Sequence, residues 1–268
     1  MGELAANTNW LVRYWLASNP ALMSSANAVT SLVRDGDYRV RWSLARNPAI
    51  ANYPEVIQTL AADKNHTVRR CLAESPAIAC LPMVIKALAN DQDRSVREFL
   101  ANNSALSAVP DVMEKLAKDE DLDIRYCLAQ NPAIAAVPIV IETLASDEDS
   151  DVRQTLASNP ALANHPEIIE KLSTDRYSWI REALAENSAL ADFPQIVELL
   201  ASDRISEVRG SLAANPTLVN FPELIEKLVS DEDPYVCEAL ARNPAIPTRT
   251  ANPQAWQTQP VTQKAPSI

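Results

Sequence analysis

An arginine recurs every 28 residues along this chain, and the residues around it recur with the same period. A Val or Ile precedes each arginine, a Leu follows three residues later, and an Ala comes directly after that Leu. The arginines are Arg13, Arg41, Arg69, Arg97, Arg125, Arg153, Arg181 and Arg209, and Cys237 stands at the ninth step. Nine units without an insertion or deletion predict a stacked array in which each unit contacts its neighbours. We therefore expect the function to lie on an extended surface.

The first half of each unit has the spacing of an amphipathic helix. In the third unit Val68, Cys71, Leu72 and Ser75 follow the i, i+3, i+4, i+7 pattern of one buried helix face. Pro76 should end this helix, because the residue before a proline is pushed out of the helical region. The residue before that proline is usually Asn, which we expect in the left-handed position that often closes a helix.

The second half of the unit predicts another helix. Ile78 should point inward from the connector, and Pro82 can open the next helix because the first turn needs no proline N–H. Val84, Ile85 and Leu88 would then form the buried stripe. The predicted fold class is all-α, a right-handed α-solenoid of nine 28-residue helix-turn-helix repeats over residues 1–246. Residues 247–268, rich in Pro, Gln and Thr, are predicted to be a flexible tail.

The repeat resembles two known families. An Asp followed six residues later by Val-Arg, and then by Leu-Ala, resembles the signature of HEAT repeats. The longer motif Val-Arg-x-x-Leu-Ala-x-Asn-Pro is more similar to the bacterial leucine-rich repeat variant. Four extra residues separate the two prolines of this unit, and they imply a fuller α-helix where the variant family has a 3₁₀ element. Some variant proteins carry an iron–sulfur cluster, but the cysteine group it needs is missing from this chain.

Two polar series accompany the repeat and are expected to be structural. The aspartates six residues before the arginines are Asp35, Asp63, Asp91, Asp119, Asp147, Asp175 and Asp203. Bidentate Arg–Asp bonding between units would fix their stacking. The asparagines are Asn19, Asn47, Asn103, Asn131, Asn159, Asn187, Asn215 and Asn243. We interpret them as helix caps, although armadillo repeats use an asparagine ladder to hold peptides.

Composition limits the classes of function. A net charge of -11 argues against a surface that binds nucleic-acid phosphates. No apolar run approaches the ~20 residues of a membrane helix, and the N-terminus does not resemble a signal peptide, so we predict a cytoplasmic protein that binds no membrane. The two histidines, His66 and His165, occupy unrelated repeat positions, and the cysteines lack paired spacing. We therefore expect no catalytic residues, no metal site and no cofactor.

The resemblance to HEAT repeats places the Val-Arg helix on the concave face of the array. Residues next to the arginine would then face a groove, with a basic N-terminal third and an acidic remainder. The candidate partner-binding residues are Trp10, Tyr14, Arg39, Trp42, Arg46, Arg70, Tyr126, Trp179 and Tyr235. Aromatic residues and arginines dominate interface energies, although Trp10 and Trp15 would alternatively seal the N-terminal end. The series Glu114, Glu142, Glu170, Glu198 and Glu226 is expected on the outer, solvated helix face.

The leading functional hypothesis is a non-catalytic scaffold or adaptor that binds a protein or peptide as a monomer. A segment carrying Lys or Arg would suit the acidic part of the groove. One alternative is an enzyme-like or chaperone role of the kind found in HEAT-type bilin lyases. Another is an acidic inhibitor or immunity protein that sequesters a basic target. A further hypothesis is that the tail, through Trp256, occupies the groove.

Overall fold

The computed structural model describes residues 1–246, and within them every regular element is helical. The chain forms two compact units, residues 1–164 and the residues from His165 onward. Six of the helices that carry the Val-Arg, Ile-Arg or Val-Cys pair lie in the first unit and three in the second. We call these the Val-Arg helices. The predicted tail with Trp256 lies outside the described residues, and the predicted handedness stays a prediction.

Each of the first eight repeats contains two α-helices and a 3₁₀ helix between them, whereas the ninth has only its Val-Arg helix among the described residues. The Val-Arg helices are Trp10–Ser18, Tyr38–Ala45, His66–Glu74, Arg94–Ala101, Leu122–Gln130, Ser150–Ala157, Ser178–Glu186, Ser206–Ala214 and Pro234–Arg242. The 3₁₀ helices are Pro20–Ser24, Pro48–Asn52, Pro76–Ile78, Ser104–Ala108, Pro132–Ala136, Pro160–Asn164, Ser188–Asp192 and Pro216–Asn220. The Pro helices are Gly2–Ala5, Ala26–Leu32, Pro54–Ala61, Pro82–Leu88, Pro110–Leu116, Pro138–Leu144, Pro166–Ser173, Pro194–Leu200 and Pro222–Val229.

The 3₁₀ element occupies the connector of the predicted helix-turn-helix repeat. The Asn-Pro pair closes the Val-Arg helix, and in the same place it starts a turn of 3₁₀ helix with Pro in its first position. This turn directs one apolar side chain, such as Ile78, fully into the core as predicted. The Pro helices are α-helical, as the longer spacing implied, and Ala26–Leu32 is regular although it lacks the proline.

The core of each repeat is formed by the apolar helix faces that the sequence predicted. In the third repeat Val68, Leu72, Ile85 and Leu88 are buried, as are the corresponding residues of neighbouring repeats. Within each of the two compact units, the Val-Arg helix of one repeat packs on the Val-Arg helix of the next repeat, as Trp10–Ser18 does on Tyr38–Ala45. These apolar side chains thus leave water only when adjacent repeats are stacked.

The asparagines do not occupy the predicted left-handed position. Asn131 has φ -73° and ψ 118°, which is extended backbone, and no non-glycine residue among 1–246 has a positive φ. The Asn131 Oδ1 accepts a hydrogen bond from the Ala133 N–H at 2.9 Å and so caps the 3₁₀ helix. Its Nδ2 donates to the Ala101 and Asn103 carbonyls of the preceding repeat, at 2.8 and 3.1 Å. The cap was predicted, whereas the clamp between repeats was not.

The arginines pair with a different aspartate from the one the spacing suggested. Arg69 forms a bidentate pair with Asp91, 22 residues later, through Nε at 2.6 Å and Nη2 at 2.8 Å. From Asp63, six residues earlier, it uses only the backbone carbonyl, which accepts from Nη1 at 2.7 Å. Arg69 therefore ties the turn before its own helix to the turn that leads into the next repeat.

The same geometry recurs in the second unit, where Arg209 pairs with Asp231 and with the Asp203 carbonyl. Burial alone would raise the pKa of Asp203, but hydrogen bonds from Arg181 and from the Ile205 N–H outweigh it and hold that pKa below its ordinary value. The Arg–Asp series is thus a structural ladder, as predicted, with a corrected register. Among residues 1–246 no helix is long and apolar enough to cross a membrane.

Candidate partner-binding surface

Five of the predicted binding residues form one continuous stack in the first unit, which we call the aromatic ladder. The Arg39 guanidinium lies 3.5 Å from the centre of the Trp10 ring. Trp10 meets Tyr14 edge to face at 6.2 Å, and Tyr14 stacks on Trp42 at 6.3 Å with 14° between the rings. The Arg46 guanidinium covers Trp42 at 4.9 Å. The order is therefore Arg39, Trp10, Tyr14, Trp42, Arg46.

Helix geometry explains why these side chains meet. Trp10 and Tyr14 are four residues apart on one helix and share a face. Tyr14 and Trp42 both follow the repeat arginine, so the packing of successive Val-Arg helices places one ring beside the other. We call the positions two and three residues before the arginine, and one and five residues after it, the Val-Arg face.

Trp10 and Trp15 differ in their surroundings. Trp10 is half-buried and covered by Arg39, whereas Trp15 is 64% exposed and meets Tyr14 edge to face at 5.3 Å. Trp10 therefore belongs to the ladder. Trp15 presents most of its surface to solvent.

Arg39 is already neutralised by a neighbouring carboxylate. Its Nε and Nη2 donate to the two oxygens of Asp37 at 3.0 and 2.6 Å. The hydrogen bond from Arg39 is the largest contribution that lowers the pKa of Asp37. Asp37 also accepts from the Arg39 N–H at 2.9 Å as the cap of the helix. Sequence reasoning missed this pair, although the two residues are only two positions apart.

Arg46 and Arg70 have no such partner. No carboxylate of residues 1–246 makes a salt bridge with either guanidinium. The Arg70 guanidinium instead lies 5.0 Å from the centre of the Phe99 ring, a contact with the following repeat that was not predicted. Phe99 occupies the position two residues after the repeat arginine, which holds Trp15 in the first repeat and smaller side chains, such as Ser43, in the others.

Cys71 lies on the helix that carries Arg70 and contacts the repeat that carries Arg46. Its thiol lies 3.9 Å from the Trp42 carbonyl, which it faces as a donor. Burial raises the pKa of Cys71 to about 11, while the positive charges of Arg46 and Arg70 act in the opposite direction. The negative charge of Glu74 acts together with burial to raise this pKa.

Tyr126 lies in a separate place, at a polar pocket of about 480 Å³ in the first unit. The pocket is lined by Tyr126, Gln130, Asp151, Gln154, Thr155, Ser158, Asn159 and Pro160. Tyr126 is 38% exposed. The pocket thus combines an aromatic ring, uncharged amides and one carboxylate, and it contains none of the ladder residues.

Trp179 and Tyr235 belong to the second unit, each with its own support. Trp179 is 39% exposed and stacks on Tyr177 at 4.4 Å. Tyr235 is 48% exposed and lies against Gly210, where an added Cβ would be only 2.2 Å from its ring. Gly210 therefore makes room for this ring. The sequence feature that could have predicted this contact is a glycine, which has no side chain, at a position of the Val-Arg face.

The Val-Arg face of the second unit is acidic. Burial, followed by the charges of Glu186 and Glu207, raises the pKa of Glu182 above its ordinary value. The Ser211 hydroxyl donates to Glu186 Oε1 at 3.0 Å. Three carboxylates thus share this face with the exposed rings. The predicted acidic character of the later repeats agrees with these residues.

The outer glutamates lie where the repeat predicted them. Glu114, Glu142, Glu170, Glu198 and Glu226 are all exposed on the Pro helices. The four cysteines are free thiols. Within residues 1–246 no group of three or more His, Cys, Asp or Glu side chains is placed to hold a metal ion.

Comparison with known proteins adds a likeness in fold. No protein family model matches the chain. No curated protein matches it either. The chain is similar to a leucine-rich repeat variant. That solved structure, described as having a novel repetitive protein structural motif, is 22% identical, with 79% of this chain and 88% of that chain covered and a TM-score of 0.47.

A second similar structure is the X-ray structure of YibA from Escherichia coli. It is 15% identical, with 88% of this chain and 97% of that chain covered and a TM-score of 0.44. The repeat motif of the sequence resembles the same kind of protein, a leucine-rich repeat variant. Likeness at this level concerns the fold alone, so the binding surface is assigned from this chain's own residues.

Proposed function

We propose that this protein is a non-catalytic scaffold or adaptor that binds a protein or peptide through the Val-Arg face. The observation that carries the proposal is a contrast between two sets of positions. Positions in the core and in the Arg–Asp and Asn series are nearly uniform from repeat to repeat, whereas the positions of the Val-Arg face vary widely along the chain. The residue after the arginine, for example, is Tyr14, Trp42, Arg70, Glu98 and Tyr126 in successive units.

The residue types on this face suit recognition. Tyr, Trp and Arg are the side chains that most often carry binding energy at interfaces. In the aromatic ladder each ring is held by its neighbours, so little side-chain freedom remains to be lost when a partner binds. The acidic second unit would favour a partner segment with Lys or Arg.

The non-catalytic part of the proposal rests on the reactive groups that the chain offers. Nucleophilic catalysis requires an activated nucleophile beside a base. The pKa of Cys71 is about 11, so almost none of this thiol is ionised at neutral pH. His66 and His165 belong to different units.

Affinity capture from a native lysate tests the proposal. We expect the wild type to retain a partner that is lost by the triple variant Trp42→Ala, Arg70→Glu, Trp179→Ala. The control Met83→Ala, Lys118→Glu, Ile139→Ala also loses two large apolar side chains and changes the charge equally, but on or beside the Pro helices. Both variants must keep the helical circular dichroism of the wild type. Equal retention by both variants would move binding away from the Val-Arg face.

A second candidate is an inhibitor that sequesters a basic target, which the carboxylates Glu182, Glu186 and Glu207 favour. The same capture separates it from the adaptor. An inhibitor would be recovered with one basic protein whose activity falls on binding, whereas an adaptor would leave its partner active.

A further inference from the structure

We propose that Arg46 and Arg70, braced on Trp42 and Phe99, bind the carboxylates of an acidic segment in the partner protein. This inference rests on the proposed function and deepens it, because it assigns the chemistry recognised at one end of the Val-Arg face.

The first observation is that these two cations stand apart from the other arginines of this face. The repeat arginines are engaged with aspartates, as Arg69 is with Asp91. Arg39 is paired with Asp37, and Arg94 bonds to Asp123 at 2.5 Å. Arg46 and Arg70 have no salt bridge to any carboxylate of residues 1–246. Their charges thus remain available to a ligand.

The second observation is that the fold does not require arginine at either position. The residues equivalent to Arg46 in the first and fourth repeats are Ser18 and Asn102. The residue equivalent to Arg70 in the fourth repeat is Glu98, which carries the opposite charge. These repeats form the same helices as the second and third. The packing of the repeats therefore does not explain why arginine occupies these two positions.

The third observation is the way in which the guanidinium groups are held. Arg46 lies 4.9 Å from the centre of the Trp42 ring, and Arg70 lies 5.0 Å from the centre of the Phe99 ring. An aromatic contact restrains a guanidinium while leaving its edge N–H groups free to donate. A planar fork of N–H donors matches the two oxygens of a carboxylate. Arg46 directly follows the helix Tyr38–Ala45, and that helix packs on His66–Glu74, which carries Arg70, so the two cations belong to adjacent packed repeats that one segment can span.

The charge of the whole chain gives this pair its selectivity. With a net charge of -11 the protein repels acidic segments over most of its surface. An acidic segment would therefore be accepted only where unpaired arginines outweigh the local carboxylates, and the carboxylates elsewhere act against binding in the wrong place. A basic segment would be repelled by Arg46 and Arg70 and drawn to the second unit.

A yeast-displayed library of random peptides, selected on the full chain, tests this inference. We expect the enriched peptides to contain Asp or Glu, and the double variant Arg46→Glu/Arg70→Glu to bind them about tenfold more weakly or worse. The control Arg34→Glu/Arg204→Glu changes the charge equally at two arginines outside the Val-Arg face and should bind as the wild type does. Arg46→Gln/Arg70→Gln removes both charges without adding carboxylates and should also lose affinity.

The outcomes separate this inference from the proposed function. One outcome would overturn the inference but support binding on the Val-Arg face. In it, the enriched peptides bind Arg46→Glu/Arg70→Glu as tightly as the wild type but do not bind Trp179→Ala. Peptides that also survive the triple variant Trp42→Ala, Arg70→Glu, Trp179→Ala would count against both. Enrichment of basic peptides alone, or of no peptides at all, would refute the acidic-segment assignment.

Discussion

At the scale of single residues, Asn131 shows how a repeated amide joins successive repeats. Its side chain is 3% exposed, its Oδ1 caps the 3₁₀ helix, and its Nδ2 reaches two carbonyls of the preceding repeat. Both ends of the amide are thus engaged, which leaves no donor to hold the main chain of a peptide. In the third repeat Ser75 replaces Asn, and its hydroxyl only accepts from the Ala77 N–H at 3.2 Å.

Restoring the amide at this position should stabilise the protein. Ser75→Asn would place its Nδ2 near the Ala45 and Asn47 carbonyls, which have the sequence offsets of those bonded by Asn131. We expect a gain of about 0.5–1.5 kcal/mol per hydrogen bond formed. The reciprocal change Asn131→Ser keeps a cap but removes two donors, and it should cost a similar amount per bond. Chemical denaturation followed by circular dichroism measures both, and a Ser75→Asn protein no more stable than the wild type would contradict the clamp.

At the scale of one element, the helix Ser206–Ala214 contains a glycine that its own stability does not favour. Glycine in a helix interior costs about 0.8–1.0 kcal/mol relative to alanine. Gly210 has an ordinary negative φ, so no turn requires it. What it supplies is space, because the Tyr235 ring lies where a Cβ would be, at 2.2 Å. The helix gives up intrinsic stability to seat an aromatic side chain on the Val-Arg face.

Substitution of this glycine should depend on the tyrosine. In a Tyr235→Ala background, Gly210→Ala should stabilise the protein by about 0.8–1.0 kcal/mol, because only the helix propensity changes. In the wild-type background the displaced ring should cancel that gain, and the NMR signals of Tyr235 should shift. A double-mutant cycle measures the coupling between the two positions. Equal gains in both backgrounds would show that the ring does not need the glycine.

At the scale of the whole molecule, the Arg–Asp ladder and the net charge respond oppositely to acid. Protonation of exposed carboxylates reduces the excess negative charge of the chain, which relieves repulsion. Protonation of the ladder aspartates removes the acceptors that join the turns. The ladder pairs are little exposed, with side-chain exposures of 6% and 5% for Arg41 and Asp63, so added salt should screen them only weakly.

Stability should therefore fall in strong acid. Despite their burial, the pKa values of Asp63, Asp91 and Asp203 are lowered by hydrogen bonds from their arginines. Their contribution is complete above the unfolded-state pKa of about 3.9 and is lost as the pH falls through the lower folded-state values. We expect the guanidinium chloride concentration at the unfolding midpoint to decrease as the pH is lowered below about 4. A midpoint that keeps rising between pH 4 and pH 2 would mean that relief of repulsion outweighs loss of the ladder.

The repeat, the two α-helices of each repeat and the residues of the core can all be predicted from the amino-acid sequence. These features follow from the 28-residue period and from side-chain spacing along one helix, such as Val68, Cys71 and Leu72. The sequence also identified the Val-Arg face residues as candidates, because aromatic rings at otherwise polar positions are visible without a structure. Helix spacing is a local property, so local residues are sufficient to predict it.

The pairing of polar groups between repeats becomes visible only in the folded chain. The sequence places one aspartate, Asp63, six residues before Arg69 and another, Asp91, 22 residues after it. Which of the two side chains Arg69 bonds depends on how neighbouring turns are positioned relative to each other. The clamp made by Asn131 and the contact of Arg70 with Phe99 likewise cross from one repeat to the next. Such contacts depend on the angle between repeats and on side-chain rotamers, and neither is encoded in the period of the sequence.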